Sequence, residues 1–165
     1  MTRLLFVATL FLALAATASA QANPQTRQGF GISFGLGMGS AGLDCDECDD
    51  ERETGLSGYL RIGGYLRPNL FLAGETNGWL KDSDGVNTQI SFISAVAQWY
   101  PQPMTGFYLK GGLGFGTTSA DDDIDELEAS GMGLQLGTGY DWRLAPNFSL
   151  TPYVNYLRSM GAEAD

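Results

Sequence analysis

Between residues 29 and 39 the chain reads GFGISFGLGMG, in which Phe30, Ile32, Phe34, Leu36 and Met38 alternate with Gly or Ser. A period of two is that of a β-strand, whose successive side chains point to opposite faces. The two-faced pattern recurs. In GLSGYLRIGGYL, Leu56, Leu60, Ile62 and Leu66 oppose Ser57, Tyr59, Arg61, Gly63 and Tyr65. In GFYLKGGLGFG, Phe107, Leu109, Leu113 and Phe115 oppose Tyr108, Lys110, Gly112 and Gly114. In MGLQLGTGYDWRL, Met132, Leu134, Leu136, Tyr140 and Trp142 oppose Gly133, Gln135, Gly137, Gly139, Asp141 and Arg143. With turn residues as punctuation, seven strands are predicted, at about 28–42, 55–67, 69–80, 87–100, 105–118, 131–144 and 147–158. The segment 87–100 is apolar on both faces, so its orientation stays open, and DDIDELEA reads as a single helical turn inside a loop.

The connections alternate in kind. The second, fourth and sixth are brief and contain Pro68, Pro101 and Pro146, whereas the first, third and fifth are acidic. An antiparallel up-and-down meander gathers the brief turns at one end and the acidic loops at the other, the asymmetry of a bacterial outer-membrane barrel. The small face of residues 29–39 then has a use: if its large residues face hydrocarbon, its glycines face a narrow interior and leave room for long side chains from other strands. Trp79, Trp99, Tyr100 and Trp142, near strand ends, suit girdles at the headgroup level. A secreted soluble barrel binding an apolar ligand would turn the same apolar faces inward. It would need a solvent face rich in Lys, Glu and Thr, where these strands carry mostly Gly, Ser, Tyr and Ala.

Residues 1–20 stand apart from the fold. Arg3, the apolar run LLFVATLFLALAA and Ala18-Ser19-Ala20 have the form of a cleaved export signal, leaving 21–165 as one barrel domain. The net charge of −10 excludes nucleic acid as a natural partner. Of 19 acidic residues, only Glu75 and Asp141 lie in the predicted strands.

SGYLRIGGYLRPNLFLAGETNGW (57–79), FYLKGGLGFG (107–116) and GYDWRLAPNFSLTPYVNYL (139–157) resemble the small eight-stranded outer-membrane β-barrel proteins of the OmpA/OmpX-like class. The resemblance implies an all-β, up-and-down antiparallel transmembrane β-barrel in the bacterial outer membrane, with membrane lipids as partners. It also implies eight strands, although seven are visible and the chain stops at the acidic GAEAD, so a terminal strand is expected to be missing. Pro152, inside the last predicted strand, removes a ladder donor and calls for a bulge there.

The chain has no histidine, so the histidine-dependent acyl-transfer and hydrolytic sites cannot be assembled, and no enzyme activity or cofactor is expected. Arg61, Glu75, Lys110, Asp141 and Arg143, with Gln135, all point to the same side by alternation. Buried charges must be paired or hydrated, so these six are expected to form a polar cluster inside the barrel, with Tyr59, Tyr153 and Asn155 adding hydrogen bonds. A charged constriction in a narrow channel for ions or small solutes is the alternative use. Cys45 and Cys48 lie in a predicted outer loop of an exported chain, where a local disulfide is expected rather than a zinc site. The acidic loops 44–53 and 121–128 are expected to be solvated and to meet divalent cations or extracellular partners, without the spacing of a calcium loop. A structural, surface-interaction role suits this arrangement.

Overall fold

A computed structural model describes residues 27–42, 52–83, 86–121 and 126–164. The leader 1–20 and both cysteines lie outside them. The alternating segments form β1 (Gly29–Ala41), β2 (Glu53–Arg67), β3 (Leu70–Ser83), β4 (Val86–Trp99), β5 (Phe107–Asp121) and β6 (Glu126–Tyr140), followed by β7 (Trp142–Ala145), β8 (Phe148–Leu150) and β9 (Tyr153–Ala164). Seven of these make one antiparallel sheet in the order β1-β2-β3-β4-β5-β6-β9, each strand beside its sequence neighbour. The up-and-down order follows from the brief turns, since antiparallel strands need only a tight connection whereas a parallel pair needs a crossover. β7 and β8 form a small hairpin between β6 and β9.

The sheet curls about a common interior. Tyr153 of β9 meets the ring of Tyr59 on β2 edge-on at 4.8 Å between centroids, and its hydroxyl stands 3.3 Å from where a Cβ on Gly37 of β1 would sit. With seven strands in alternation, β1 and β9 run in the same sense, and no pairing joins them among the described residues.

The two faces part as the alternation dictates. Phe30, Ile32, Phe34, Leu36 and Met38 are exposed, while Tyr59, Arg61, Phe71, Glu75, Phe92, Tyr108, Lys110 and Gln135 are buried. The open orientation of 87–100 resolves in favour of Phe92, Ser94, Val96 and Gln98 inward, with Ile93 and Trp99 outward. Strands of 12–15 residues, rising about 3.4 Å per residue and tilted by about 40°, stand roughly 35 Å tall against an apolar band of about 25 Å. The surplus lies at the acidic end.

Several expectations need correction. Glu126–Ala129 continue β6 instead of forming a helical turn, because Glu126 pairs with Asp121 and the ladder runs unbroken from there. The last strand is interrupted at Thr151 and Pro152, and the strand before it at Asp141. Pro152 has no N–H to give, yet its carbonyl accepts the Tyr140 N–H at 3.1 Å, so the ladder is kept on one side of the break. Trp79 and Tyr100 do not join an outer girdle. Both are buried in the interior, where the Trp79 indole donates to the Gly39 carbonyl at 2.9 Å.

Candidate functional site

The glycine face of β1 decides what the interior can hold. A Cβ on Gly35 would run into Tyr59 and stand 2.8 Å from Cε1 of Tyr153, and one on Gly39 would stand 3.0 Å from the Trp79 ring. The same exchange holds across the sheet: a Cβ on Gly137 of β6 would stand 2.9 Å from Cε of Lys110. Small residues on some strands thus admit long, charged ones from others, at the close packing typical of protein interiors.

Into that space β3 projects Glu75, 1 % exposed. β2 places Arg61 directly opposite it in the register, and the guanidinium Nε donates to Glu75 Oε2. Lys110 of β5 donates to Oε1 at 2.6 Å, Asn77 donates to the same oxygen at 3.1 Å, and the Gln135 amide of β6 donates there too. Ser94 of β4 in turn donates to the Gln135 carbonyl at 2.6 Å, fixing the amide so that its nitrogen faces the carboxylate. Three strands besides β3 therefore bind one carboxylate directly, with β4 acting through Gln135, and the carboxylate is held between two cations. Arg61 also lies 4.8 Å from the Tyr59 centroid and 6.0 Å from that of Tyr108, where ring faces attract a cation.

A chain of hydrogen bonds leads from this knot to the end of the barrel with the brief turns. Arg61 Nη1 donates to Gln98 at 2.5 Å, the Gln98 amide donates to the Tyr100 hydroxyl at 2.5 Å, and that hydroxyl donates to Asp141 at 2.8 Å. Thr151 donates to the other Asp141 oxygen at 2.9 Å. Arg27, just ahead of β1, closes the end. Its guanidinium covers the Tyr100 ring at 3.6 Å, donates to the carbonyls of Pro103 and Thr105 at 2.6 and 2.7 Å, and lies 3.7 Å from Asp141.

Of the six residues expected in one cluster, the structure brings Arg61, Glu75, Lys110 and Gln135 together. Asp141 sits at the mouth and is linked to the others through Tyr100 and Gln98. Arg143 lies on β7, where it donates to the Pro146 carbonyl at 2.7 Å within its own hairpin. By alternation from Asp141 it stays on the inner side, but it lies beyond Tyr140, the level of the first residue of β5. Tyr59 and Tyr153 contribute ring packing, and Asn155 pairs with Gly137 beside Lys110.

Sequence reasoning missed Arg27, Ser94, Gln98 and the role of Tyr100. Ser94 and Gln98 lie on the strand whose faces could not be told apart, and Arg27 precedes the first strand, so neither had a face to read. Cys45, Cys48 and the loop 44–51 lie outside the described residues. Among the described residues no group of three or more metal-ligating side chains gathers.

A family model described as an outer membrane protein beta-barrel domain matches residues 6–163. No curated protein and no solved structure matches the chain.

Proposed function

The chain belongs to the family of outer membrane protein β-barrel domains, and from that we propose that its interior is closed and that its outer end carries a negatively charged surface for interaction. Its general role is structural, as a membrane barrel, and not catalytic. The observation that supports the closed interior is Glu75: a carboxylate 1 % exposed and bound by Arg61, Lys110, Asn77 and Gln135 occupies the space an open channel would need. A narrow barrel has room for little beyond its own side chains. The charges there are held by one another instead of lining a water column.

The acidic segments support the surface role. They belong to the connections between β1 and β2 and between β5 and β6, at the end of the sheet away from the brief turns, and divalent cations would bridge them to other anionic surfaces. Export through the leader at 1–20 and a disulfide between Cys45 and Cys48 complete the proposal.

Planar-bilayer recording of the folded protein tests it. The expected trace is flat at moderate voltage. Sustained, discrete conductance steps would overturn the closed interior in favour of a narrow pore, and their loss of ion selectivity in Lys110→Ala would then place the filter at Lys110.

A further inference from the structure

The connection between β6 and β9 differs from the other turns at its end of the barrel. β2 and β3 join through Pro68 and Asn69 alone, whereas β6 and β9 are linked by the hairpin β7-β8, which begins beyond the level where β6 ends opposite Phe107, the first residue of β5. The Asp141 N–H is bound to the Gly106 carbonyl at 2.9 Å, which ties the base of the hairpin to the neighbouring turn.

Its orientation is fixed by the residues on either side. Asp141 and Thr151 meet inside the mouth, so by alternation Trp142, Leu144, Phe148 and Leu150 lie on the outside. The ladder agrees, since Trp142 pairs with Leu150. These four continue the outward rows of β6 and β9, and Leu144, Phe148 and Leu150 are 61, 59 and 55 % exposed, as open as Met132 and Tyr156 on the barrel wall at 52 and 51 %. The other side of the hairpin carries Arg143 and Ser149, which pair with each other, and a bulge after Arg143 brings Ala145 opposite Phe148.

An apolar patch of this kind on a water-filled side would need a cover. Here it is continuous with the lipid-facing wall, includes an aromatic residue suited to the headgroup level, and has its one cation on the opposite side. We propose that the outer face of the Trp142–Leu150 hairpin lies in the lipid boundary of the membrane leaflet on the turn side, extending the hydrocarbon-facing surface of β6 and β9 downward. The inference rests on the reading of the chain as a membrane barrel.

Trp142 reports on it directly, because the chain has only two other tryptophans, Trp79 in the interior and Trp99 on the outer wall. The protein is folded into phosphatidylcholine vesicles with and without brominated acyl chains, and the fluorescence of a Trp79→Phe/Trp99→Phe variant is compared. Subtraction of Trp142→Phe from the unaltered protein gives the same signal should the double variant fold poorly. The expected result is strong quenching of Trp142 by the brominated lipid and weak quenching by aqueous acrylamide. Quenching by acrylamide alone would overturn the proposal and leave the hairpin in water, open to a soluble protein partner. Quenching of Trp142 by neither would also overturn it. The Trp99 signal keeps the two levels apart: if Trp99 is not quenched by brominated lipid, the membrane-barrel reading itself has failed.

Discussion

Replacing Glu75 with Gln should be among the most destabilising single changes in this barrel, whereas replacing Lys110 with Met should be mild. The knot holds two cations and one carboxylate, so the substitutions are not symmetric. Lys110→Met leaves Glu75 paired with Arg61 and puts an apolar chain of similar length in a space already faced by the Tyr59 ring. The gross attraction it removes, between charges 2.6 Å apart, is about 6 kcal/mol in a medium of effective dielectric about 20, but most of it is offset by the desolvation that Met does not suffer. Repulsion from Arg61 is relieved as well. A net change of about 1 kcal/mol in either direction is expected. Glu75→Gln strands both cations in the interior and turns an amide donor toward groups that are themselves donors. Breaking a buried ion pair from one side costs about 3–5 kcal/mol, and here one carboxylate serves two partners. The double variant should recover about 1–3 kcal/mol of that loss, since only one uncompensated charge remains. Urea titration of protein folded in lipid, followed by the folded band on a cold gel and by tryptophan emission, measures all three. A Glu75→Gln variant within about 1 kcal/mol of the unaltered protein, or a Lys110→Met variant as damaged as Glu75→Gln, would refute the charge count on which this reasoning depends.

Other expected outcomes concern the two faces and the mouth. Gly35→Ala should cost about 1–3 kcal/mol because its Cβ meets Tyr59 and Tyr153, while Gly74→Ala, with nothing within 4 Å, should be neutral or slightly stabilising; the same urea titration compares them. Leu113→Arg, on the outer face at mid-strand, should cost about 2–4 kcal/mol in lipid, and an equal cost in detergent-free buffer would contradict its lipid exposure. Arg27→Ala should lose about 1–3 kcal/mol, because the carbonyls of Pro103 and Thr105 and the Asp141 carboxylate give up a charged donor. Its effect should be additive with that of Gly35→Ala, as the two share no partner.

Most of the wall was legible in the sequence because its period is simple. Phe30 to Met38 alternate with Gly and Ser, and no other backbone shape sorts such residues into two faces. The same arithmetic placed Arg61, Glu75, Lys110 and Gln135 on one side, and pairing of buried charge brought them together. It failed where a face was ambiguous or where the side of a strand does not give the depth along the barrel. Ser94 and Gln98 share β4 with Ile93 and Val96, so hydropathy could not say which row was inside. Trp79 and Tyr100 are amphipathic, and their position near strand ends fits a girdle as well as an interior; the glycines opposite Trp79 and the Asp141 carboxylate beyond Tyr100 decide the matter, and both are contacts between distant segments. Arg143 keeps the side alternation gives it but lies beyond the level of Tyr140 and Phe107, a depth along the strand that a period of two does not measure.

The measurement closest to the central claim, that the apolar rows face lipid around a polar interior, is the gel mobility of the protein folded into detergent or lipid, run with and without boiling. The expected result is a compact, faster band that boiling converts to the mobility of the unfolded chain. A protein that stays monomeric and folded in plain buffer, with no heat-dependent band, would contradict it and turn the rows of Phe30, Leu60, Leu113 and Leu136 into the wall of an internal apolar cavity.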